Sequence, residues 1–435
     1  MSRSHPQTAV QRRRVFYIPG YDPIHPRRYR ELYRKEGAAQ AGISGYEIAL
    51  SPGKNEAHYG WQVVAKIGDQ TVHADVNVLV WSDIVRASMD TSIPGTYAQL
   101  VRTAWTYIGS GALRRLMRLR KGPVIAALYP VGMLLFQLSI ALLVAWGAMA
   151  GTQAVFEMMM RSLISPILPP LGETGMSVFF AITVATGTLL CMSAAGVAGY
   201  IVLRWFKARD GKFFAYYLMH DYAYSAQSRG ANPAPLEARM AEFGSAIAQA
   251  LREDVDEVLV VGHSSGAHLA VSILADLIRS GRVPRNGPAL SFLSLGQVVP
   301  MVSFLPEAHR LRADLQFLSV REELAWVDVT APGDGCAFAL CDPVSVSGVA
   351  PEHKRWPLVF SAQFTRSLSP ERWAELRWRF FRLHFQYLCA FDRPLDYDYF
   401  QITAGPMTLG GRYADRPPSK SRIDVAVSKY TSIAA

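Results

Sequence analysis

Apolar positions along this chain fall into three kinds of pattern. Short runs rich in β-branched and aromatic residues, bounded by Gly, Pro or charge, lie at 15–18, 46–50, 61–67, 71–75, 77–81, 257–261, 289–295 and 324–329, and predict strands. Gly68-Asp69-Gln70 between two of them predicts a hairpin. Helical spacing covers 26–41, 96–120, 211–224, 236–252, 267–278 and 372–388. The third kind is different: 124–150 and 176–203 carry no charged residue at all. Each exceeds the roughly 20 residues a helix needs to cross a bilayer, and their glycines and Pro130 are tolerated in such helices.

Strands alternating with helices predict an α/β fold, a mostly parallel sheet with helices on both faces, interrupted by a two-helix transmembrane hairpin. Residues 1–121 and 206–409 read as two parts of one domain, because the first supplies strands that the second lacks. Residues 122–205 are the hairpin. The stretch 410–435, with its Pro, Ser and Lys, reads as a flexible tail. The aromatic segment 211–224 is expected to pack on the body of the domain or to lie at a membrane surface.

Charge then sets an orientation. Arg114, Arg115, Arg118, Arg120 and Lys121 precede the first apolar run, and Arg204, Lys207 and Arg209 follow the second. The connection 151–175 offers Arg161 as its one basic residue. Under the positive-inside rule both outer flanks, and with them both parts of the domain and both termini, are expected in the cytoplasm. The first residues hold no apolar core of a secretory signal, so none is expected. The chain has 435 residues, half of them hydrophobic, and a net charge of +10. Attraction of the flanking arginines to anionic lipid accounts for that charge, and no nucleic-acid motif accompanies it. Cys191, Cys336, Cys341 and Cys389 show no paired zinc spacing, and a reducing compartment would keep them as thiols. Two charge-free spans offer no ion pathway.

The chemistry lies around residue 264. A buried-strand run ends in Gly262-His263-Ser264-Ser265-Gly266, and an unbroken helical pattern follows. Small residues on both sides suit a tight strand-to-helix turn that lifts the central hydroxyl above the sheet edge. A serine hydroxyl needs a histidine to take its proton and an acid to orient that histidine. In the chain order Ser, acid, His, the favoured acid is Asp334, in the loop after the strand around Trp326. Asp328 and Asp342 are its rivals. The favoured base is His384, with His353 as rival. His268 is expected at the surface or behind the site. For an oxyanion, the N–H groups of Ser265 and of Tyr21, in the loop after the first strand, are the expected donors. Gly20 is the other choice for the second donor, and Pro19 has no N–H to give.

On these residues the chain resembles the α/β-hydrolase superfamily, nearest to lipase-like serine esterases. Their elbow is often Gly-His-Ser-x-Gly, their acid often follows a strand in a Pro-Gly-Asp context like Pro332-Gly333-Asp334, and their histidine is often followed three residues on by a tyrosine, as His384 is by Tyr387. Their early strand usually ends in His-Gly, where this chain has Pro19-Gly20. The resemblance covers the two cytoplasmic segments and has no counterpart of the hairpin. It implies a serine esterase acting through an acyl-enzyme on an ester or thioester, with no metal or organic cofactor. The hairpin makes the lipid bilayer a partner and a lipid or acyl chain the substrate class to expect. The alternative is a catalytically inactive scaffold of the same fold that binds a partner or ligand at the membrane.

Overall fold

The computed structural model describes residues 9–53, 58–89, 92–164 and 172–434. Its centre is one eight-stranded sheet, with β1 (Arg12–Ile18), β2 (Glu47–Pro52), β3 (Gly60–Ile67), β4 (Gln70–Val78), β5 (Glu257–His263), β6 (Ala289–Leu295), β7 (Leu324–Thr330) and β8 (Leu358–Ser361). The strand order is β2-β3-β4-β1-β5-β6-β7-β8. β4, β1, β5, β6, β7 and β8 pair in parallel, while β3 pairs antiparallel with both β2 and β4. The sheet is thus mixed, which corrects the expectation of a mostly parallel one. The reason is local. Strands joined by a tight turn, such as the one at Gly68 (φ 58°), must run in opposite directions, whereas parallel neighbours need a long crossover.

The central strand β5 is buried along its whole length, as a parallel strand covered on both faces should be. Where β1 meets β5, a buried ion pair lies in the core: Arg13 Nε donates to Glu257 at 2.5 Å, in register across the two strands. Arg13 also donates to the carbonyls of Gly405 and Met407, while Glu257 accepts from Ser291 Oγ and Leu409 N–H. Every charge-bearing atom of the pair is thereby satisfied, as a buried pair requires.

Several elements depart from the sequence pattern. The run 77–81 is no separate strand: β4 continues to Val78 and the strand ends there. The stretch 96–120 is two helices, Ile93–Gly109 and Ala112–Leu119, broken where Gly111 takes φ 74°. The late helix is split into Pro370–Leu376 and Phe380–His384, with Arg379 at φ −100°, ψ 68° turning the chain between them. The stretch read as a flexible tail is docked: Ile423 N–H donates to Leu340 O at 2.7 Å, Asp342 N–H to Ile423 O, and Arg312 Nε to Ser432 O.

The chain divides into two compact units. One holds Met1–Asp90, Val101–Ala126 and Asp221–Ala435, including the whole sheet; the other holds Thr91–Leu100 and Ala127–His220. The sheet-bearing unit is therefore built from both ends of the chain. The second unit contains most of two helical stretches, Lys121–Ser162 and Glu173–Ala208, that are long and apolar enough to cross a membrane. Their most apolar windows are only 22% and 6% buried within the protein.

Candidate active site

The carboxyl ends of β1, β5, β6 and β7 converge on one edge of the sheet. β1 and β5 are neighbours there, although the chain leaves β1 for one half of the sheet and β5 for the other. Such a switch point leaves a crevice beyond the strand ends.

Ser264 follows β5 and takes φ 57°. A non-glycine residue in this region is strained by roughly 1–3 kcal/mol and persists only where its surroundings fix it. Here three close approaches do so. A Cβ on Gly262 would stand 2.7 Å from Ala267 Cα, and one on Gly266 would stand 2.1 Å from Ile18 O. A Cβ on Gly20 would stand 2.9 Å from Ser264 Cβ and 3.4 Å from its Oγ. The loop after β1 thus lies directly against the serine. Ser265 caps the helix Gly266–Arg279, and an N-cap N–H has no partner within its helix. Tyr21 packs its ring on Trp81 and Tyr224 and bonds Ser88 through its hydroxyl, which fixes the loop that carries its N–H.

His384 and Asp334, separated by 50 residues, meet in the interior: His384 Nδ1 lies 2.7 Å from Asp334 Oδ2. Burial alone would push the Asp334 carboxyl up. The charge and hydrogen bond of His384, the Cys336 N–H and the Tyr387 hydroxyl outweigh it and hold the carboxyl below its ordinary range. The ring reaches the serine's neighbourhood, because Ser264 N–H bonds Leu295 O and a Cβ on the next residue, Gly296, would lie 3.0 Å from His384 Cε1. His384 Nε2 is buried and has no hydrogen-bond partner among the described residues, so the Ser264 hydroxyl is not bonded to it. Bonds of this kind commonly close only around a substrate. Asp334, Cys336 and His384 also bring three potential metal-ligand atoms within 4.8 Å of one another. Burial pushes the Cys336 thiol well up, however, and His384 Nδ1 is already turned to Asp334, so the set reads as an acid–base pair.

The rivals are engaged elsewhere. Asp328 lies inside β7 and accepts from Ser294 Oγ. Asp342 caps the helix Pro343–Val346 and pairs with Lys354. His353 is exposed on a loop. His268, expected at the surface or behind the site, is buried, and burial lowers its pKa to about 4.

Other groups at the site make contacts that their place in the sequence does not announce. His263 is more than a turn residue: Nε2–H donates to the backbone O of His384 at 3.0 Å, and the two rings lie 4.8 Å apart. That bond leaves Nδ1 to accept from Tyr17 Oη at 3.3 Å, which matches a ring kept neutral, its pKa lowered to about 3 by burial and by the charge of His384. The Tyr387 hydroxyl accepts from Ala331 N–H at 2.9 Å and donates to Asp334 Oδ2 at 3.0 Å. Asp221, on the helix Ala215–Gln227, lies close enough for the charge of His384 to act on it, and burial pushes its carboxyl up to about 7.

No protein-family model, no curated protein and no solved structure matches this chain.

Proposed function

We propose that this chain is a membrane-anchored serine hydrolase of the α/β-hydrolase type, cleaving a carboxylic ester or thioester through an acyl-enzyme. The observation that carries the reading is Ser264 at φ 57° on a strand–turn–helix, its N–H bonded to Leu295 O, with the ring of the buried His384–Asp334 pair against the next residue, Gly296. Ser264 Oγ attacks the acyl carbon while His384 Nε2 takes its proton. Asp334 holds the ring through Nδ1 and stabilises the imidazolium that forms. The N–H groups of Ser265 and Tyr21 donate hydrogen bonds to the developing oxyanion. His384 then returns the proton to the leaving alcohol or thiol. A water molecule, deprotonated by the same nitrogen, attacks the acyl-enzyme, and His384 returns that proton to Ser264 Oγ as the carboxylic acid leaves. This chemistry needs no metal or organic cofactor.

The hairpin supports placement in a membrane with two spans and with the catalytic unit on the cytoplasmic side. The low burial of the apolar helices speaks for that placement, since a core helix of a soluble protein would be mostly covered. A bilayer-borne lipid ester or acyl chain is the substrate class this suggests. Preference for soluble short-chain esters over bilayer-embedded ones would argue against it.

A non-catalytic scaffold of the same fold is the second reading, favoured by the lack of a partner on His384 Nε2 among the described residues. One experiment separates the two. Membranes holding the wild type should react with a fluorophosphonate probe, and Ser264→Ala should lose that reaction at unchanged protein level. A folded wild type that takes no probe would leave the scaffold standing.

A further inference from the structure

The turn between the helices Pro370–Leu376 and Phe380–His384 combines side chains that water does not favour. Trp378 is 72% exposed and Phe380 47%. Arg377, Arg379 and Arg382 are exposed around them, and Arg377 Cζ lies 5.7 Å from the centre of the Trp378 ring. Glu375 pairs with Arg372, Arg379 and Arg382, so the group as a whole stays positive.

This turn connects inward and outward. Inward, it covers the loop of the candidate acid: a Cβ on Gly333 would meet the Trp373 ring at 2.6 Å, and one on Gly335 would meet the Phe380 ring at 3.1 Å. Asp334 stands between those two glycines, and the same helix that starts at Phe380 ends on His384. Outward, the acid loop touches the beginning of the first apolar helix. A Cβ on Gly122 would lie 3.5 Å from Gly335 Cα, and Arg120 Nε donates to Ala339 O at 2.8 Å. The start of the apolar helix Lys121–Met159, the acid loop and the turn with Trp378 are thus neighbours.

We propose that the 377–382 turn docks on the surface of an anionic phospholipid bilayer beside the first span, opening the Ser264 site toward lipid. The inference rests on the membrane-hydrolase reading above. Tryptophan is favoured at the boundary of headgroups and acyl chains, where its ring is covered and its N–H stays wet. Arginines around it meet anionic headgroups, each strengthening attachment about fivefold near such a surface. A protein partner could also use tryptophan and arginine. Continuity with the foot of an apolar helix favours the bilayer.

The test uses the full-length chain, one copy per nanodisc of phosphatidylcholine with phosphatidylglycerol. The emission lost in Trp378→Phe isolates Trp378. It should be quenched by lipids brominated high on the acyl chain and protected from acrylamide. Quenching by acrylamide alone, or protection from both quenchers, would overturn the proposal. In the same discs, the pair Arg377→Gln and Arg379→Gln should label with a soluble fluorophosphonate as the wild type does. Its turnover of a long-chain ester dissolved in the disc should fall on the order of tenfold, and the deficit should vanish in discs of phosphatidylcholine alone. An equal loss toward both substrates would mark a structural effect and also count against docking. If the wild type takes no probe, the hydrolase reading fails, and the quenching measurement still decides the docking.

Discussion

Single buried polar groups behind the candidate site lend themselves to direct tests. Asp328 lies inside β7, where burial raises its carboxyl to about 8, with the Ser294 bond pulling it down and the charge of Asp342 adding to the rise. Its Oδ2 has no hydrogen-bond partner among the described residues to hold a negative charge. An unfolded aspartate releases that proton near pH 4. Between about pH 4 and pH 8 the native chain therefore holds one proton more than the unfolded one, and stability falls as pH rises. Asp328→Asn removes this dependence. Wild-type stability relative to the variant should fall by up to about 1.4 kcal/mol per pH unit across that window and level off above it. Denaturant unfolding in detergent at several pH values reads this, and parallel curves would refute it. Tyr387 is a second case. Tyr387→Phe strands the Ala331 N–H, which costs about 1–3 kcal/mol. It also removes one of the bonds that orient Asp334. Fluorophosphonate labelling should slow about tenfold, the equivalent of about 1.4 kcal/mol in the barrier. An unchanged labelling rate would mean that the carboxylate keeps its place without the hydroxyl.

At the scale of elements, close backbone approach governs the elbow. Gly266→Ala puts a methyl 2.1 Å from Ile18 O and 2.7 Å from Pro19 O, both backbone atoms with nowhere to move without parting β1 from the helix Gly266–Arg279. The expected cost is above roughly 3 kcal/mol. Gly42→Ala is the contrasting change: it sits in the helix Arg27–Ser44 with open space around it, so it should gain about 0.5–1 kcal/mol. Thermal unfolding of the two variants checks the contrast, and similar shifts would contradict it. The same contrast shows what the sequence pattern can and cannot convey. β5, β6 and β7 are legible because a β-branched run bounded by turn residues is a local signal. β8 has four residues, too few for any period to show. The antiparallel β3–β4 hairpin is announced by Gly68-Asp69-Gln70, whereas the antiparallel pairing of β2 with β3 has no such local signal. At the site, Ser264, Asp334 and His384 can be picked out because each stands in a local motif. The bond from His263 to the His384 carbonyl spans 121 residues, and the contact of Gly20 with Ser264 spans more. Nothing near either residue announces such a contact. Asp221 is similarly hidden within an ordinary helix.

For the molecule as a whole, the sheet-bearing unit is assembled from chain segments on both sides of the apolar helices. If those helices form a membrane hairpin, the chain must return to the side it left, since β1–β4 and β5–β8 share one sheet. Folding thus imposes the same topology that the basic flanks favour, and the two arguments are independent: one is hydrogen bonding between strands, the other the cost of moving arginine across a bilayer. The connection between the spans must then face the other compartment. Glu173, at the start of the second apolar helix, marks that side, and Lys429, in the docked C-terminal stretch, marks the side of the sheet. Cysteines placed at the two positions, Glu173→Cys and Lys429→Cys, should react with a membrane-impermeant maleimide from opposite faces of sealed vesicles, above the background of the four native cysteines. Right-side-out vesicles should label the first and inverted vesicles the second. Labelling of both from one face would mean that the apolar helices do not span, and the low burial of their surfaces would need a partner protein instead of lipid to cover them.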